Sequence, residues 1–438
     1  MKTLSILSTK LSSKCLQLIG RGGSMPGSIG LKIDSNILSQ LKVDGPVILV
    51  TGTNGKTSTA NMVADLFSKA GYKVISNRKG DNLREGITTT LLTNATLSGK
   101  VKADVVVLEV DELNIKHILP NLPVSALIVN NFFRDQLDRA REMEQLIESI
   151  EGVLPYYRGR MILNGNDPNV VRLSLKAPKA KFSYFGMNKN KYSVASTNEA
   201  SEGKFCPACG HKLTYSYYQY SHIGSFHCTN CSFETPKLTV ELNDIDLDSE
   251  QFSFDGQRYQ SPYEGMYSMY NCAVVLTVAK EFNIPVDVVK KVFKDAPQPK
   301  GRNEKFVKDD HTCILNLVKN PTGANEVMKV IEKDHTEKKI CIVLNDREQD
   351  GTDVSWIYDT FFEKLMTDQT KEIICTGLRA NDMALRIYYG GYKGKITVID
   401  DLQRAVHESN QNINTTYVVA TYTALLPSRN AIVKEMGD

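Results

Sequence analysis

The 438 residues carry 53 Lys and Arg against 50 Asp and Glu, a net charge of +3, with 41% apolar and 24% charged residues. That balance excludes a disordered chain, and with no surplus of positive charge it gives no reason to expect nucleic acid as a partner. The length suits two or three domains with full cores, and no run approaches the roughly 18 continuous apolar residues of a membrane span.

Residues 1–45 read as a lead-in segment. The apolar part of Met1–Lys10 is too short for a secretory signal. Lys2, Lys10, Lys14 and Arg21 are interleaved with Leu4, Leu7, Leu11 and Leu18. That pattern suits a weak amphipathic helix, expected to pack on its own domain rather than lie on a membrane. Residues 46–299 read as a central ATP-binding domain, and from 46 to about 200 strand and helix alternate. Strands are predicted at 47–51, 73–76, 104–110, 124–130 and 160–164, with helices near 56–70, 112–119, 139–153 and 167–175, which argues for a parallel sheet covered on both faces.

The first strand, Val47-Ile-Leu-Val50, is apolar throughout, and the chain breaks after it at Gly52 and Gly55 before a helical run from Lys56. Gly52, Thr53, Asn54, Gly55, Lys56, Thr57 and Ser58 form a phosphate cradle. Backbone N–H groups and the positive helix end face the anion, Lys56 adds charge, and the Thr57 hydroxyl suits Mg²⁺. ATP is the expected ligand. The loop is the short Gly-Thr-Asn-Gly-Lys-Thr, because Val50 stands where the general phosphate-loop pattern has its first glycine.

Glu109 ends another apolar strand at the edge where open α/β sheets bind ligands. It either sits deep in the sheet with a cationic partner or holds Mg²⁺, and the ATP loop favours Mg²⁺. Asp111 and Glu112 read as helix N-terminal charges. The polar runs Asn130–Arg139 and Asn164–Pro168 leave two further strands at the same edge, as binding loops or as ordinary turns.

Cys206-Pro-Ala-Cys209 and Cys228-Thr-Asn-Cys231 are two Cys-x₂-Cys pairs with 18 residues between them. Two such turns complete a closed tetrahedral thiolate shell, so a structural Zn²⁺ in an inserted ribbon, about 202–235, is expected. His211, His222 and His227 stand near as alternative ligands, which the paired spacing disfavours. Tyr215, Tyr217, Tyr218 and Tyr220 suit a small core or a protein contact better than base stacking. The other five cysteines lie scattered, as in a reducing, cytoplasmic compartment.

Short antiparallel strands are predicted at 238–242 and 251–254, followed by a helix with Tyr267, Tyr270, Val274, Val275 and Val278 on its apolar side. Pro297-Gln-Pro299 reads as a hinge. Residues 300–438 repeat the α/β pattern, with strands predicted at 312–318, 339–344, 371–376, 395–399 and 416–420, as a Rossmann-like C-terminal domain. Its loop Leu344–Tyr358 carries four acids and the only tryptophan. Asp353 there is either a functional carboxylate or a helix N-cap. No nucleophile elbow or cysteine–histidine pair appears, so the chain is not expected to carry its own glutaminase nucleophile.

Gly52–Thr57, Glu109, Asp135-x-x-Asp138, Asn271, Gly301-Arg302 and Lys319-Asn-Pro321 fall in the order and spacing of a Mur ligase, so from about residue 45 the chain resembles that family. Within it, the four-cysteine insert and the run 350–359 are similar to the MurT branch, synthetase subunits that work with a glutaminase of the GatD type. The resemblance implies a Mur ligase fold and ATP-dependent amidation of the D-glutamate α-carboxylate in the lipid II stem peptide, through an acyl phosphate, at the inner membrane face. Lys56, Thr57 and Glu109 would serve phosphoryl transfer. Asn271 would contact the adenine side, Arg302 would reach the phosphates, and Asp353 would complete the partner's Cys–His pair. Three departures from the wider family stand out. Gln136 replaces a metal ligand, no lysine lies between Glu142 and Tyr157, and Lys319-Asn-Pro with Asn316 upstream replaces the usual His-Asn-Pro and aspartate. The first two argue against a second metal. The third suits ammonia, an acceptor without a carboxylate.

Overall fold

The computed structural model describes residues 1–18, 23–78, 80–133, 143–197, 202–297 and 301–437. Two compact units result, the first from Met1–Phe133 with Met143–Ala296, the second from Pro297 onward. No helix among the described residues is long and apolar enough to cross a membrane.

In the first unit, β1 (Val47–Thr51), β2 (Val74–Ser76), β3 (Val105–Glu109), β4 (Val124–Val129), β5 (Arg160–Asn164) and β6 (Lys181–Met187) are parallel. Their β-branched runs are buried on both faces, as a sheet sandwiched between helices requires. After β7 (Leu213–Tyr220) and β8 (Ile223–Cys228), which form a separate hairpin, β9 (Val240–Asp246), β10 (Gln251–Phe254) and β11 (Gln257–Gln260) extend the sheet. The order is β11-β10-β9-β6-β5-β4-β1-β3-β2. The chain leaves β1 toward β3 and β2 and returns on the other side through β4, so the C-terminal end of β1 lies at a topological switch point.

The helix Met266–Glu281 is buried almost all round rather than along one side, because it packs against the helix Lys56–Lys69 as well as β6 and β9. Where a helix is expected over 112–119, the chain makes a 3₁₀ turn Glu112–Asn114, a single turn Ile115–Ile118 and a second 3₁₀ turn around Pro120. The expected helix near 139–153 is described as Met143–Glu151, its start lying outside the described residues. β6 was not expected from the pattern, and the expected ribbon is built on the hairpin β7–β8. The lead-in forms two helices, Lys2–Leu18 and Met25–Ile33, which pack with the helix Arg84–Thr93.

The second unit holds β12 (Glu304–Lys308), β13 (His311–Leu317), β14 (Lys338–Val343), β15 (Thr370–Thr376), β16 (Lys395–Val398) and β17 (Thr415–Ala420), in the order β12-β13-β17-β14-β15-β16. All pairs are parallel except β12–β13. β12 escapes sequence reading because only Phe306 of its five residues is buried. It is held as a hairpin arm across Asp309, whose φ is +52°.

Candidate functional site

The loop after β1 works because two glycines let the chain pass where no side chain fits. A Cβ on Gly52 would lie 2.9 Å from the backbone N and O of Asn131, and Gly55, with φ +82°, leaves 2.5 Å to the Asn271 side-chain oxygen. The loop is stitched to the end of β4. Thr53 N–H donates to Asn131 O (2.9 Å), Asn54 N–H to Asn131 Oδ1 (2.8 Å), and Phe133 N–H to Thr53 Oγ1 (3.0 Å). Beneath it, Asn130 Nδ2 donates to Thr59 Oγ1 (3.0 Å), which donates to Asn271 Oδ1 (3.1 Å). The structure therefore puts Asn271 under the loop, 3% exposed, with its amide nitrogen unpartnered among the described residues. Lys56, Thr57 and Ser58 open the helix Lys56–Lys69.

Lys56 is held by carboxylate and carbonyl together. Its ammonium donates to Gly52 O (2.7 Å) and to Glu112 Oε1 (3.0 Å), and both side chains are buried. Glu112 is thus a site residue that sequence reasoning missed, while Asp111 does cap the turn by accepting from Leu113 N–H (3.1 Å). Glu109, 4% exposed, has no cationic partner among the described residues. Asn77 exchanges two hydrogen bonds with its backbone, and Asn82 Nδ2 donates to its Oε1 (2.9 Å). Nothing in the local sequence marks Asn77 or Asn82, which come from the loop after β2. Asp135, Gln136 and Asp138 lie outside the described residues.

Cys206, Cys209, Cys228 and Cys231 converge, with all four Sγ atoms within 4.8 Å of one another. Two of the pairs are 3.6 Å (Cys206–Cys231) and 3.5 Å (Cys209–Cys228) apart, close to the ~3.8 Å edge of a tetrahedron with 2.3 Å Zn–S bonds. The knuckles close by Gly210 N–H donating to Cys206 O (2.8 Å) and Asn230 N–H to Cys228 Sγ (3.4 Å). A backbone hydrogen bond at His211 holds the Cys209 thiol down to about 6, toward the thiolate a metal needs. The residues fit Zn²⁺.

His222 belongs elsewhere. At the tip of the β7–β8 hairpin it is fully buried, with Nε2 3.3 Å from Asp167 and Nδ1 3.4 Å from Glu202, and its ring against Phe133. Burial disfavours its charge, but Asp167 first and Glu202 second outweigh it, and the imidazole is raised to about 9. Asp167 also accepts from Phe132 N–H (2.9 Å), so hairpin, β5 end and β4 end share one polar cluster that reaches Thr53 through Phe133.

In the second unit, Arg302 is half-buried, next to Gly301 (φ +70°). Asn316 Oδ1 accepts from Asn303 N–H (3.0 Å), and Asn320 caps the helix Pro321–Lys333 by accepting from Gly323 N–H (2.8 Å). In the acidic loop, Asp346 pairs with Arg379 (2.7 Å) and Asp350 is buried against Thr423. Asp353 is exposed and accepts from Ser355 N–H (2.8 Å), ahead of the 3₁₀ turn Ser355–Tyr358.

Residues 50–233 match the Mur ligase middle domain family and residues 317–425 the MurT ligase C-terminal family. The lipid II isoglutaminyl synthase (glutamine-hydrolyzing) subunit MurT of Staphylococcus aureus (strain COL) is 32% identical, over 95% of this chain and 94% of that protein. The protein of the same name from Streptococcus pneumoniae is 31% identical over 99% of both. Among solved structures, a pseudomurein peptide ligase type C from Methanothermus fervidus has a similar fold. Its TM-score is 0.66 at 20% identity, over 92% of this chain and 81% of that one.

Proposed function

The chain belongs to the MurT family of Mur ligases, and on that premise we propose that it amidates the α-carboxylate of D-glutamate in the lipid II stem peptide to D-isoglutamine, consuming ATP and ammonia released by a glutaminase subunit of the GatD type. The observation that carries this reading is the glycine loop at the switch point of the first unit, with Lys56 and two buried carboxylates around it.

In the proposed reaction a carboxylate oxygen of D-glutamate attacks the γ-phosphorus, ADP leaves, and ammonia then displaces phosphate from the acyl phosphate. The N–H groups of Gly55, Lys56 and Thr57, at the helix N-terminus, take the phosphate oxygens. Lys56, held at the loop by Glu112, neutralises charge as the phosphoryl group moves. Thr57 and Glu109 would hold Mg²⁺, which when bound screens the phosphates. The oxygen-rich donor set fits that ion, and the unpartnered Asn271 amide fits a ligand that accepts a hydrogen bond at the loop. Asn271 and Arg302 complete the proposed nucleotide set. Zn²⁺, closed off by four thiolates, is structural.

The test is mass spectrometry of lipid II incubated with the chain, ATP and Mg²⁺. The nitrogen source is ammonium or glutamine, with and without a candidate glutaminase. Amidation is expected with ammonium alone and with glutamine only beside the partner. ATP-dependent addition of an amino acid instead would make the chain an amino-acid-adding ligase.

A further inference from the structure

The helix Lys2–Leu18 is turned inside out relative to an ordinary surface helix. Its inward face is Ser5, Ile6, Thr9 and Ser13, all buried. Its outward face carries Leu4 (57% exposed), Leu7 (42%), Leu11 (56%) and Leu18 (87%), with Cys15 in the same stripe. At 100° per residue these five positions fall within about a quarter of the helix circumference.

The orientation is fixed by close packing. Ser5 Oγ donates to Gly30 O (2.8 Å), and a Cβ on Gly30 would lie 2.4 Å from Thr9 Oγ1, so only small side chains fit along that seam. Lys10 Nζ reaches Thr93 O (2.8 Å). Rolling the helix to hide its leucines would break these contacts and drive larger side chains into Gly30. Leu97, 49% exposed, extends the apolar surface beside Thr3, whose hydroxyl reaches Leu97 O.

Before residue 34 the sequence carries charge of one sign. Lys2, Lys10, Lys14, Arg21 and Lys32 all precede Asp34, the first acid in a chain whose total is only +3. Burial, and then the charges of Lys102 and Lys14, lower the Lys10 pKa, which puts three lysines in one neighbourhood. A symmetric contact with a second copy would bring this basic segment against another of the same sign. An anionic, apolar-backed surface satisfies both features at once.

We propose that the helix Lys2–Leu18 docks the enzyme reversibly on an anionic phospholipid bilayer, with Leu4, Leu7, Leu11 and Leu18 entering the headgroup–acyl boundary and Lys14 and Lys102 facing lipid phosphates. This goes beyond the reaction and is read from the surface alone, so vesicles free of any peptidoglycan precursor test it independently of the substrate assignment.

The experiment is co-sedimentation of the full chain with vesicles containing phosphatidylglycerol and with vesicles of phosphatidylcholine only. Retention on the anionic vesicles, weakened by high salt, is expected. Leu7→Asp with Leu11→Asp lowers that binding on the order of a hundred-fold, and Lys14→Glu by about five-fold or more, with the melting temperature unchanged because these side chains face solvent. Failure to bind anionic vesicles overturns the proposal, as does binding that the double variant leaves intact. Concentration-dependent dimerisation abolished by the double variant, without vesicle binding, would assign the stripe to a second copy instead.

Discussion

Lys56 and Glu112 form a buried ion pair at the loop where phosphate chemistry is proposed. Breaking a buried pair from one side leaves an uncompensated charge, which destabilises by about 3–5 kcal/mol. Lys56→Ala should therefore abolish ATP-dependent turnover and also lower the melting temperature, whereas Lys56→Met with Glu112→Leu should recover much of the stability and none of the turnover. Calorimetry beside an ADP-release assay separates the two effects. Normal turnover in Lys56→Ala would remove the loop from the mechanism. His222 gives a pH prediction. Its pKa rises from 6.5 to about 9 on folding, so its contribution is fully present below pH 6.5 and is lost as pH rises through 9. The difference corresponds to about 3 kcal/mol. Chemical denaturation of the wild type and His222→Gln should show a stability gap that is widest near pH 6 and closes above pH 9. A gap independent of pH would mean that the imidazole packs as a neutral ring.

At the scale of elements, the sequence carried the phosphate loop and most of the parallel strands, because an apolar run followed by glycines and a helix start has few other uses. Glu112 was hidden because a carboxylate just past a strand end looks like a cap, and its partner lies 56 residues upstream. His222 looked like a spare zinc ligand. Its true partners, Asp167 and Glu202, are brought to it only by the folded hairpin. The lead-in helix was legible as a helix but not in its facing, since the rule that leucines turn inward fails where Gly30 admits only serine and threonine. The ribbon reaches the sheet through more than His222. Gly224 N–H donates to Asn166 O (2.8 Å), and the side-chain oxygen of Asn166 accepts from Tyr270 OH (3.0 Å). Removing Zn²⁺ with a chelator, or Cys209→Ser, should therefore release the hairpin from its sheet anchor as well as open the knuckles. Hydrogen exchange should rise across 202–235 and at Asn166, while the amides of β1 and β3 stay protected. Unchanged exchange after metal removal would deny the ion a structural role.

Over the whole molecule, the phosphate loop belongs to one unit and the acidic loop after β14 to the other. Of the four acids in that loop, Asp346 is spent on Arg379 and Asp350 on Thr423, both within their own unit. Asp353 is exposed, and its carboxylate accepts from the Ser355 N–H within the same loop. A carboxylate presented in this way suits a role outside its own chain, orienting a histidine of the glutaminase partner. On that reading Asp353→Asn should retain amidation driven by ammonium. Amidation driven by glutamine should fall by about 10²–10⁴-fold, the scale set by removing the orienting acid of a catalytic triad. Trp356, the only tryptophan and half-buried three residues on, reports assembly without an added label. If its fluorescence responds equally to the partner in wild type and variant, the loss is in the partner's chemistry. If the response vanishes in the variant, Asp353 holds the interface instead. Equal loss with ammonium and glutamine would assign the residue to the synthetase step, and the partner's histidine would then need another orienting group.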